Sequence, residues 1–358
     1  MTKLLASVLV LLFSLSAFSS GSNAKRTTLS VMTYNLENLF DTKHDKGKKD
    51  WTYLPLKVKN SSAEVQAYCN GLSNEYYKKS CLGLDWSNSV LRKKIKNMAK
   101  VILSYNKGKG ADILVFQEVE NLNVLKMLVS KGLKSKGYSY ITLFDGPDSR
   151  GIDVGMISKY PVKSQKYHTI NLAPHSTRST RGILEVNYKV GRKSVTVFGN
   201  HWPSQANPDE ARVIASNVLK EATAKSKSDL VIATGDFNTS SDDALNGITL
   251  NVLPIYEDVE VQGRRMSNVV VDGTHWWRGN WESLDKIFVA KKSLTKKGIS
   301  VNYSAFDIVY LPFMVKDLEW QDTDTGNTNI SENIPARFDP LTGSGFSDHL
   351  PVAVEFKL

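Results

Sequence analysis

The feature that most constrains the fold of this chain is the polar residue that follows nearly every short apolar run. Short apolar runs bounded by polar residues are typical of buried β-strands, so the polar residues mark the points where strands end. Carboxylate, amide and imidazole groups at the mouths of strands are the groups from which a hydrolytic metal site is built. The residues in these positions are Asn35, Glu118, Asn200, His201, Asp236 and Asn238, and the segment Gly345-Phe346-Ser347-Asp348-His349 directly precedes the last apolar run.

The apolar runs alternate with a smaller number of helical patterns. Several neighbouring runs are close enough along the chain to form antiparallel hairpins. This arrangement predicts an α+β fold in which sheets pack together and helices lie outside them. The predicted strands are 29–34, 113–117, 139–144, 153–158, 183–189, 194–199, 229–234, 285–290, 299–303 and 352–357.

Two helices are predicted from periodicity and from end signals. The first covers about 86–106, because apolar residues recur there at intervals of three and four. The second covers about 208–226, with Asn207 as its cap, Pro208 at its first position and Glu210 placed to complete a capping box. The apolar face of the first helix is Leu91, Ile95, Met98, Ile102 and Tyr105.

Two segments do not follow this alternation. Residues 41–86 hold many Lys, Gly, Asn and Tyr residues and are expected to be a long irregular insertion after the first strand. Residues 321–346 are a second irregular stretch, rich in Asp, Asn, Thr and Gly. Asp322 and Asp324 could hold a structural Ca²⁺ ion, but their spacing does not match an EF-hand loop, which favours a solvated loop.

The N-terminus has the pattern of a secretory signal peptide. Lys3 precedes an apolar run over 4–18, and small residues end at Ala24. The run is shorter than the roughly 20 residues that span a bilayer, so a membrane anchor is the less favoured alternative. We expect cleavage after Ala24, a secreted or periplasmic product, and one domain over 25–358 with no stable insertion into a membrane.

The net charge indicates the class of partner. The formal charge is +10 and the isoelectric point is about 9.3. A basic exported protein suits polyanions such as nucleic acid or anionic lipid headgroups, although generic surface lysines are the alternative explanation. No protein partner can be inferred.

Cys69 and Cys81 are the two cysteines of the chain. In an oxidising compartment such a pair predicts a disulfide that closes a small loop. Two buried thiols without a bond are the alternative.

Glu118 and Asp348 are the strongest metal-ligand candidates on chemical grounds alone. Glu118 follows an aliphatic strand, where a carboxylate is unfavourable unless it faces an opening or a cation. Mg²⁺ takes hard oxygen ligands and usually one or two carboxylates, so these two are sufficient.

The ordered set of motifs resembles the endonuclease/exonuclease/phosphatase superfamily, which includes deoxyribonuclease I, abasic-site exonucleases, neutral sphingomyelinases and inositol polyphosphate 5-phosphatases. The resemblance extends from about residue 29 to the end of the chain and implies a four-layered αββα sandwich. The single tripeptides are weak signals, whereas the ordered set is specific. The motifs are Tyr34-Asn35-Leu36-Glu37-Asn38, Gln117-Glu118, Asn200-His201, Gly235-Asp236-Phe237-Asn238, Leu284-Asp285-Lys286 and Ser347-Asp348-His349.

The resemblance also implies a role for each matching residue. Asn35, Glu118 and Asp348 would bind Mg²⁺, for which Mn²⁺ could substitute. The catalytic set would have His349 as the base that takes a proton from water, with Asp285 as its orienting partner. Asp236 and Asn238 would hold the water or the phosphoryl oxygens, and His201 would protonate or stabilise the leaving oxygen. The alternatives are a strand cap for Asn35, a core histidine for His201, and an ion pair with Lys286 or an arginine for Asp285.

The chain departs from the family pattern after the second motif histidine, where it reads Trp202-Pro203-Ser204-Gln205. In deoxyribonuclease I this histidine has an acidic partner. Asp153 is the candidate for that partner here, and pairing of Asp153 with Arg150 is the alternative.

Cationic and aromatic residues are the candidates for substrate contact. Arg150 and Arg181 precede strands and could bind phosphates. Trp277 and Arg278 belong to an aromatic segment just before Asp285 and could stack on bases and bind phosphate. Packing of these tryptophans in the core is the alternative.

These observations predict a secreted, Mg²⁺-dependent endonuclease that cleaves DNA, or RNA, with low sequence specificity. The alternative is a phosphodiesterase or phosphatase acting on lipid headgroups, as in sphingomyelinases, or on inositol phosphates. In that case residues 308–315 would form an exposed apolar hairpin that touches a membrane, although burial in the core is favoured. A binding module without catalysis is a third possibility, which the complete set of acidic and histidine residues disfavours.

Overall fold

The structure is a computed structural model that describes residues 27–322 and 325–358. The predicted signal peptide over 1–24 lies outside the described residues, and so does Asp324 of the proposed calcium pair. In the described part of the chain, no helix has both the length and the apolar character needed to cross a bilayer.

Two six-stranded sheets form the centre of the structure, and two small two-stranded sheets lie beside them. The strands are β1 (Thr28–Leu39), β2 (Ile113–Val119), β3 (Tyr140–Leu143), β4 (Asp153–Ser158), β5 (Val162–His168), β6 (Ile183–Val190), β7 (Lys193–His201), β8 (Leu230–Asp236), β9 (Tyr256–Asp258), β10 (His275–Trp277), β11 (Asn280–Glu282), β12 (Asp285–Ala290), β13 (Ser300–Ile308), β14 (Val315–Gln321), β15 (Thr328–Pro335) and β16 (Val352–Lys357).

Along the described chain, the helices lie between these strands. They are α1 (Leu56–Ser61), α2 (Ala63–Asn70), α3 (Glu75–Gly83), α4 (Asn88–Ser104), α5 (Leu122–Met127), α6 (Asp209–Lys225), α7 (Val259–Met266) and α8 (Lys291–Leu294). Short 3-10 turns occur at Trp51–Tyr53, Tyr105–Gly108 and Pro312–Met314, and single π-turns at Leu128–Gly132 and Ile248–Val252.

The two large sheets pack face to face, and helices cover their outer faces. The first sheet has the order β13-β16-β1-β2-β4-β3, and the second has the order β5-β6-β7-β8-β12-β9. Each sheet contains one parallel pair at its centre, β1 with β2 and β7 with β8, so the carboxyl ends of these strands meet at one edge. The predicted four-layered αββα sandwich is confirmed.

The core explains why the predicted apolar runs form these layers. One buried cluster joins the inner faces of both sheets to α4, including Leu91 and Ile95 of the predicted helical face. A second cluster packs the outer face of the second sheet against α6, with Leu219 fully buried. Burial of such aliphatic side chains contributes about 1.5–3 kcal/mol each.

The start of α6 differs from the prediction. Pro208 precedes the first helical residue, and no side chain caps the helix. The side chain of Asn207 instead donates to the carbonyl oxygen of Ser204, because the chain turns tightly between these two residues.

The prediction that residues 41–86 are irregular is wrong for most of their length. They contain α1, α2 and α3, and the predicted disulfide between Cys69 and Cys81 joins α2 to α3 with both residues buried. The Nζ of Lys59, also buried, donates to three backbone carbonyl oxygens of this segment. These short helices are stabilised by the cross-link and by Lys59 rather than by long apolar faces, which is why periodicity missed them.

The prediction that residues 321–346 are irregular is also wrong in part, since β15 pairs with β14 as an antiparallel hairpin. Ile330 is 70% exposed, and the polar sequence reflects a hairpin that is largely solvated. Within 308–315, Ile308, Val309 and Met314 are buried, so the favoured assignment of this stretch to the core is confirmed.

Candidate active site

Strand register brings the predicted polar residues together at one edge of the sandwich. In the second sheet, Asp236 of β8 lies opposite His201 of β7 on one side and opposite Asp285 of β12 on the other. In the first sheet, Asn35 lies opposite Gln117, which precedes Glu118. Because the sheets face each other, the ends of β1, β2, β7, β8 and β12 form one cleft.

Gly235 permits the close approach of β7 and β8 at this edge. Its φ is +140°, and a Cβ at this position would lie 2.0 Å from the carbonyl oxygen of Asn200. A residue with a side chain would separate the strands and displace Asp236, which explains the glycine in the Gly-Asp-Phe-Asn motif.

His349 and Asp285 form a buried pair. The Nδ1 atom of His349 lies 2.6 Å from Oδ2 of Asp285, and the Nε2 atom lies 4.0 Å from a carboxylate oxygen of both Asp236 and Asp348. Although burial acts to lower it, the pKa of His349 is raised well above its usual value by Asp285 and the two other carboxylates. The alternative partner of Asp285, Lys286, instead pairs with Asp258 and Glu260 on β9 and α7.

Asp236 lies between the two sheets. Its Oδ2 accepts a hydrogen bond from the side-chain amide of Asn35, and its Oδ1 accepts one from the backbone N–H of Asn238. Burial raises the pKa of Asp236 to about 7, and Asp285 adds to the rise while His349 opposes it. Asn238 has a φ of +46° and donates from its side chain to the carbonyl oxygen of Trp202.

His201 is buried beside Asp236. Its Nε2 lies 3.6 Å from Oδ2 of Asp236, and its Nδ1 has no hydrogen-bond partner in the structure. Burial and the nearby Arg181 and Arg150 hold the pKa of His201 well below its usual value, so the ring is neutral.

The structure does not pair Asp153 with His201. Its Oδ1 accepts the backbone N–H of Gly146, and burial raises its pKa to about 7. The alternative pairing with Arg150 is also absent, because the guanidinium of Arg150 lies against Asp148. Asp148 and Arg150 are only two positions apart in the chain, and both precede β4.

Glu118 has the features expected of a metal ligand. It is partly exposed, its φ is +58°, and no described residue makes a hydrogen bond or an ion pair with its side chain. The oxygen of the Asn35 side chain and the carboxylate of Asp348 lie on neighbouring elements, since the Ser347 hydroxyl donates to the carbonyl oxygen of Asn35. These hard oxygen donors fit the ligand preference of Mg²⁺.

Three charged residues beside Asp348 were not predicted from the sequence. Arg337 lies 3.2 Å from Asp348 and 2.7 Å from Glu37. Lys94 of α4 is buried beneath them and donates to the carbonyl oxygen of Glu37. Although burial raises it, the pKa of Asp348 is lowered by His349 and Arg337, so the carboxylate is ionised. Glu37 could have been found from its motif, whereas no motif marks Arg337 or Lys94.

The two arginine candidates for substrate contact share one carboxylate but differ in exposure. Arg150 and Arg181 both contact Asp148. The side chain of Arg150 is 58% exposed, whereas that of Arg181 is 5% exposed and also donates to the carbonyl oxygen of Trp202. The Nε of Arg181 has no partner in the structure and remains available for a further hydrogen bond.

The aromatic segment forms the hairpin of β10 and β11 next to the cleft. Trp277 is 55% exposed, and the guanidinium of Arg278 lies 5.5 Å from its ring centre. Trp276 and Trp281 instead pack against Trp320 and Tyr310, so only part of the segment is open for substrate. The sequence did not single out His275 of this hairpin, which pairs with His349 through an isolated β-bridge.

Known structures with the same fold are distant in sequence. A structure of beta toxin from Staphylococcus aureus with bound magnesium ions is 17% identical, with a TM-score of 0.52 over 92% of this chain and 99% of that one. The mannosyl-6-phosphatase of Bacteroides thetaiotaomicron is 15% identical, with the same TM-score and the same coverage. An endonuclease/exonuclease/phosphatase family protein from the same organism is 15% identical, with a TM-score of 0.51 over 93% and 99%. At this identity the likeness shows the fold alone.

No curated protein matches the chain in sequence. The profile of the Endonuclease/Exonuclease/phosphatase family matches residues 30–357, which is nearly the whole of the described chain and includes every motif at the cleft. The resemblance seen in the motifs is therefore confirmed, and the chain belongs to the endonuclease/exonuclease/phosphatase family, whose members are phosphoester hydrolases.

Proposed function

We propose that this protein is a divalent-metal-dependent endonuclease that hydrolyses phosphodiester bonds of DNA, with RNA as the alternative polymer, and with low sequence specificity. The observation that carries the proposal is the buried pair of His349 and Asp285. The Nε2 atom of His349, which this pair does not use, faces Asp236 and Asp348. A base oriented by a carboxylate and surrounded by further acidic groups suits the activation of water for in-line attack.

Asn35, Glu118 and Asp348 are the residues that we expect to hold Mg²⁺. The support is the partnerless carboxylate of Glu118 and the ionised state of Asp348. When bound, the metal would neutralise the charge that develops on the phosphoryl oxygens.

The remaining residues have separate tasks in the proposed reaction. His349 takes the proton of the attacking water, and Asp285 fixes the ring so that Nε2 is the atom that accepts it. Asp236 and Asn238 hold the water or a phosphoryl oxygen. His201 donates a hydrogen bond to the leaving oxygen, a task that suits a ring that is neutral.

Substrate choice is the finer part of the proposal. The chain has a formal charge of +10, and its exposed Trp277 and Arg278 lie on the hairpin that also contains His275, next to His349. Stacking on an indole and contact with arginine are sequence-tolerant ways to bind a nucleic-acid strand. Arg150 is exposed enough to bind a phosphate. Arg181 is buried, and its Nε atom, which has no partner in the structure, could donate a further hydrogen bond to the substrate.

Export is proposed together with this activity. The leader over 1–24 would be removed after Ala24, and the product, one domain over 25–358, would be periplasmic or secreted. The disulfide between Cys69 and Cys81 supports an oxidising destination.

The test uses the mature protein and His349→Ala, with plasmid DNA and a labelled RNA, in Mg²⁺ and in EDTA. His175→Ala is the matched control, because His175 is exposed and belongs to none of the motifs. We expect cleavage of one or both polymers by wild type and the control only with metal, and loss of about 10²- to 10⁴-fold in His349→Ala.

Two outcomes would contradict the proposal. Equal cleavage by His349→Ala would remove His349 from the reaction. Hydrolysis of bis-p-nitrophenyl phosphate without cleavage of either polymer would retain the site but reject the substrate, and lipid headgroups and inositol phosphates would then be assayed.

A further inference from the structure

His275 places a second imidazole directly beside Asp348 and His349. It forms an isolated antiparallel β-bridge with His349, and the two ring centres are 4.7 Å apart. One ligand atom from each of His275, Asp348 and His349 lies within 4.8 Å of the others. Among the described residues, this is the one group of three His, Cys, Asp or Glu side chains with so close an approach.

The unused atoms of this group are suited to an ion. The Nδ1 of His275 is buried and has no hydrogen-bond partner in the structure. The Nε2 of His349 lies 4.0 Å from Oδ1 of Asp348. Two ligands of one tetrahedral Zn²⁺ ion lie roughly 3.4 Å apart for bonds of about 2.0–2.2 Å, so small side-chain rotations are sufficient to close the group around an ion.

Asp285 already prepares His349 as a metal ligand. It accepts a hydrogen bond from Nδ1 of His349, which leaves Nε2 as the atom with the free lone pair. A carboxylate that holds the distal nitrogen of a ligating histidine is the usual second layer of a zinc site, where it fixes the ring and makes it more basic.

The donor set selects the class of ion. Two imidazoles and one carboxylate suit borderline transition ions such as Zn²⁺, whereas Mg²⁺ prefers oxygen ligands and retains its waters. We propose that His275, Asp348 and His349 form a second metal site, specific for Zn²⁺ and similar ions, beside the oxygen-rich site assigned to Mg²⁺.

The consequence of this site is inhibition, and this part rests on the proposed function. A Zn²⁺ ion on Nε2 of His349 would occupy the lone pair that is needed to take a proton from water. It would also occupy Asp348, which the Mg²⁺ site needs. Zinc would therefore stop the reaction.

Metal binding can be tested without any assay of activity. The mature protein is freed of metal and titrated with Co²⁺, whose visible absorption reports tetrahedral coordination, and with Zn²⁺ by calorimetry. We expect one site in wild type, and affinity reduced by about tenfold or more in His275→Phe, which retains a ring against His349 but lacks both nitrogens. His175→Phe is the matched control and is expected to bind as wild type does.

The results separate this inference from the proposed function. Equal zinc affinity in wild type and in folded His275→Phe, checked by thermal melting, would overturn the site, as would the absence of zinc binding in wild type. If His275→Phe does not fold, His275→Asn replaces it in the same comparison. In a nuclease assay with Mg²⁺, the zinc concentration that halves the rate should rise at least about tenfold in the variant, relative to its own rate without zinc. A protein that binds zinc through His275 but cleaves no polymer would refute the proposed function alone.

Discussion

The Nδ1 atom of His349 lies 2.6 Å from Oδ2 of Asp285, and Asp285 is fully buried. The second oxygen of Asp285 has no hydrogen-bond partner in the structure, so the side-chain hydrogen bond of this carboxylate is the one with the imidazole of His349. The backbone N–H of Asp285 donates to the hydroxyl of Thr274, next to His275, which fixes the start of β12 relative to the aromatic hairpin. The pair is therefore rigid, and its orientation towards the cleft is set by the backbone of two neighbouring elements.

Replacement of Asp285 with Asn should reduce kcat by about 10²- to 10⁴-fold, because the amide no longer fixes the ring with Nε2 as the proton acceptor. The pH dependence should change as well. Asp285 raises the pKa of His349, and the base must be neutral to act, so the wild-type rate falls as pH drops through this raised pKa. Without Asp285 the pKa is lower, and the fall should move to lower pH. Rate–pH profiles of both proteins measure this shift.

Asp85→Asn is the control for this experiment, since Asp85 is exposed and accepts one backbone hydrogen bond, from Leu56, that an amide oxygen can also accept. Its profile should match that of wild type. An unchanged acid limb in Asp285→Asn would show that the rate does not depend on His349 as the base.

Arg150 and Arg181 should differ in what their loss affects. Arg181→Ala removes a buried cation from Asp148 and from the carbonyl oxygen of Trp202, and should reduce the free energy of unfolding by about 3–5 kcal/mol. Arg150→Ala removes an exposed guanidinium from the buried Asp148, which Arg181 still neutralises. It should therefore change stability by about 1 kcal/mol or less and should raise KM for a polymer substrate. Urea unfolding and steady-state kinetics on both variants test the contrast. A polymer KM that is unchanged in Arg150→Ala would exclude Arg150 from substrate binding.

Arg337 should compete with Mg²⁺ for Asp348. Its guanidinium lies 3.2 Å from Asp348 and also pairs with Glu37, so a cation that binds Asp348 must overcome an ion pair that is already formed. Arg337→Gln should therefore bind Mg²⁺ more tightly, by about 2- to 5-fold if the pair contributes up to about 1 kcal/mol. Isothermal titration in the absence of substrate measures this directly. Arg192→Gln, on the exposed turn between β6 and β7, should leave the affinity unchanged, and weaker Mg²⁺ binding in Arg337→Gln would mean that Arg337 supports the site.

The parts of this structure that the sequence could predict are those with local signals. Strand ends and the face of α4 were recovered because the relevant forces, burial of apolar runs and helical periodicity, act over a few neighbouring residues. The pairing of His349 with Asp285 was available only through the resemblance, since it joins residues that are far apart in the chain.

The parts that the sequence could not predict depend on tertiary contacts. His275 meets His349 because a hairpin before β12 pairs with the segment before β16, and no spacing in the chain encodes this contact. Lys94 stands on the helical face next to apolar residues, and its buried amine is explained by tertiary contacts, with the carbonyl oxygen of Glu37 and with the ring of Phe338. The helices of 41–86 were missed because a disulfide and Lys59 stabilise them in place of a continuous apolar face.

Asp153 should make the stability of the protein fall as pH rises. It is buried, its Oδ2 has no partner in the structure, and burial raises its pKa from 3.8 to about 7. Between these two values the native state keeps a proton that the unfolded chain has released, so wild-type stability decreases with pH across this window and the full penalty is present above pH 7. Asp153→Asn retains the oxygen that accepts the N–H of Gly146 but cannot ionise.

The two proteins should thus have similar free energies of unfolding near pH 4, and the variant should be more stable at pH 8.5 by roughly 2–4 kcal/mol, as measured by urea unfolding at a series of pH values. Asp229→Asn is a control of opposite sign. Although burial acts to raise it, hydrogen bonds from Ser194 and the ion pair with Lys193 lower the pKa of Asp229, so this carboxylate stabilises the fold above its unfolded pKa and its loss should matter more at high pH. A constant difference between wild type and Asp153→Asn across the series would mean that Asp153 is ionised in the folded protein, and a cation or a basic side chain would then have to lie against its Oδ2 atom.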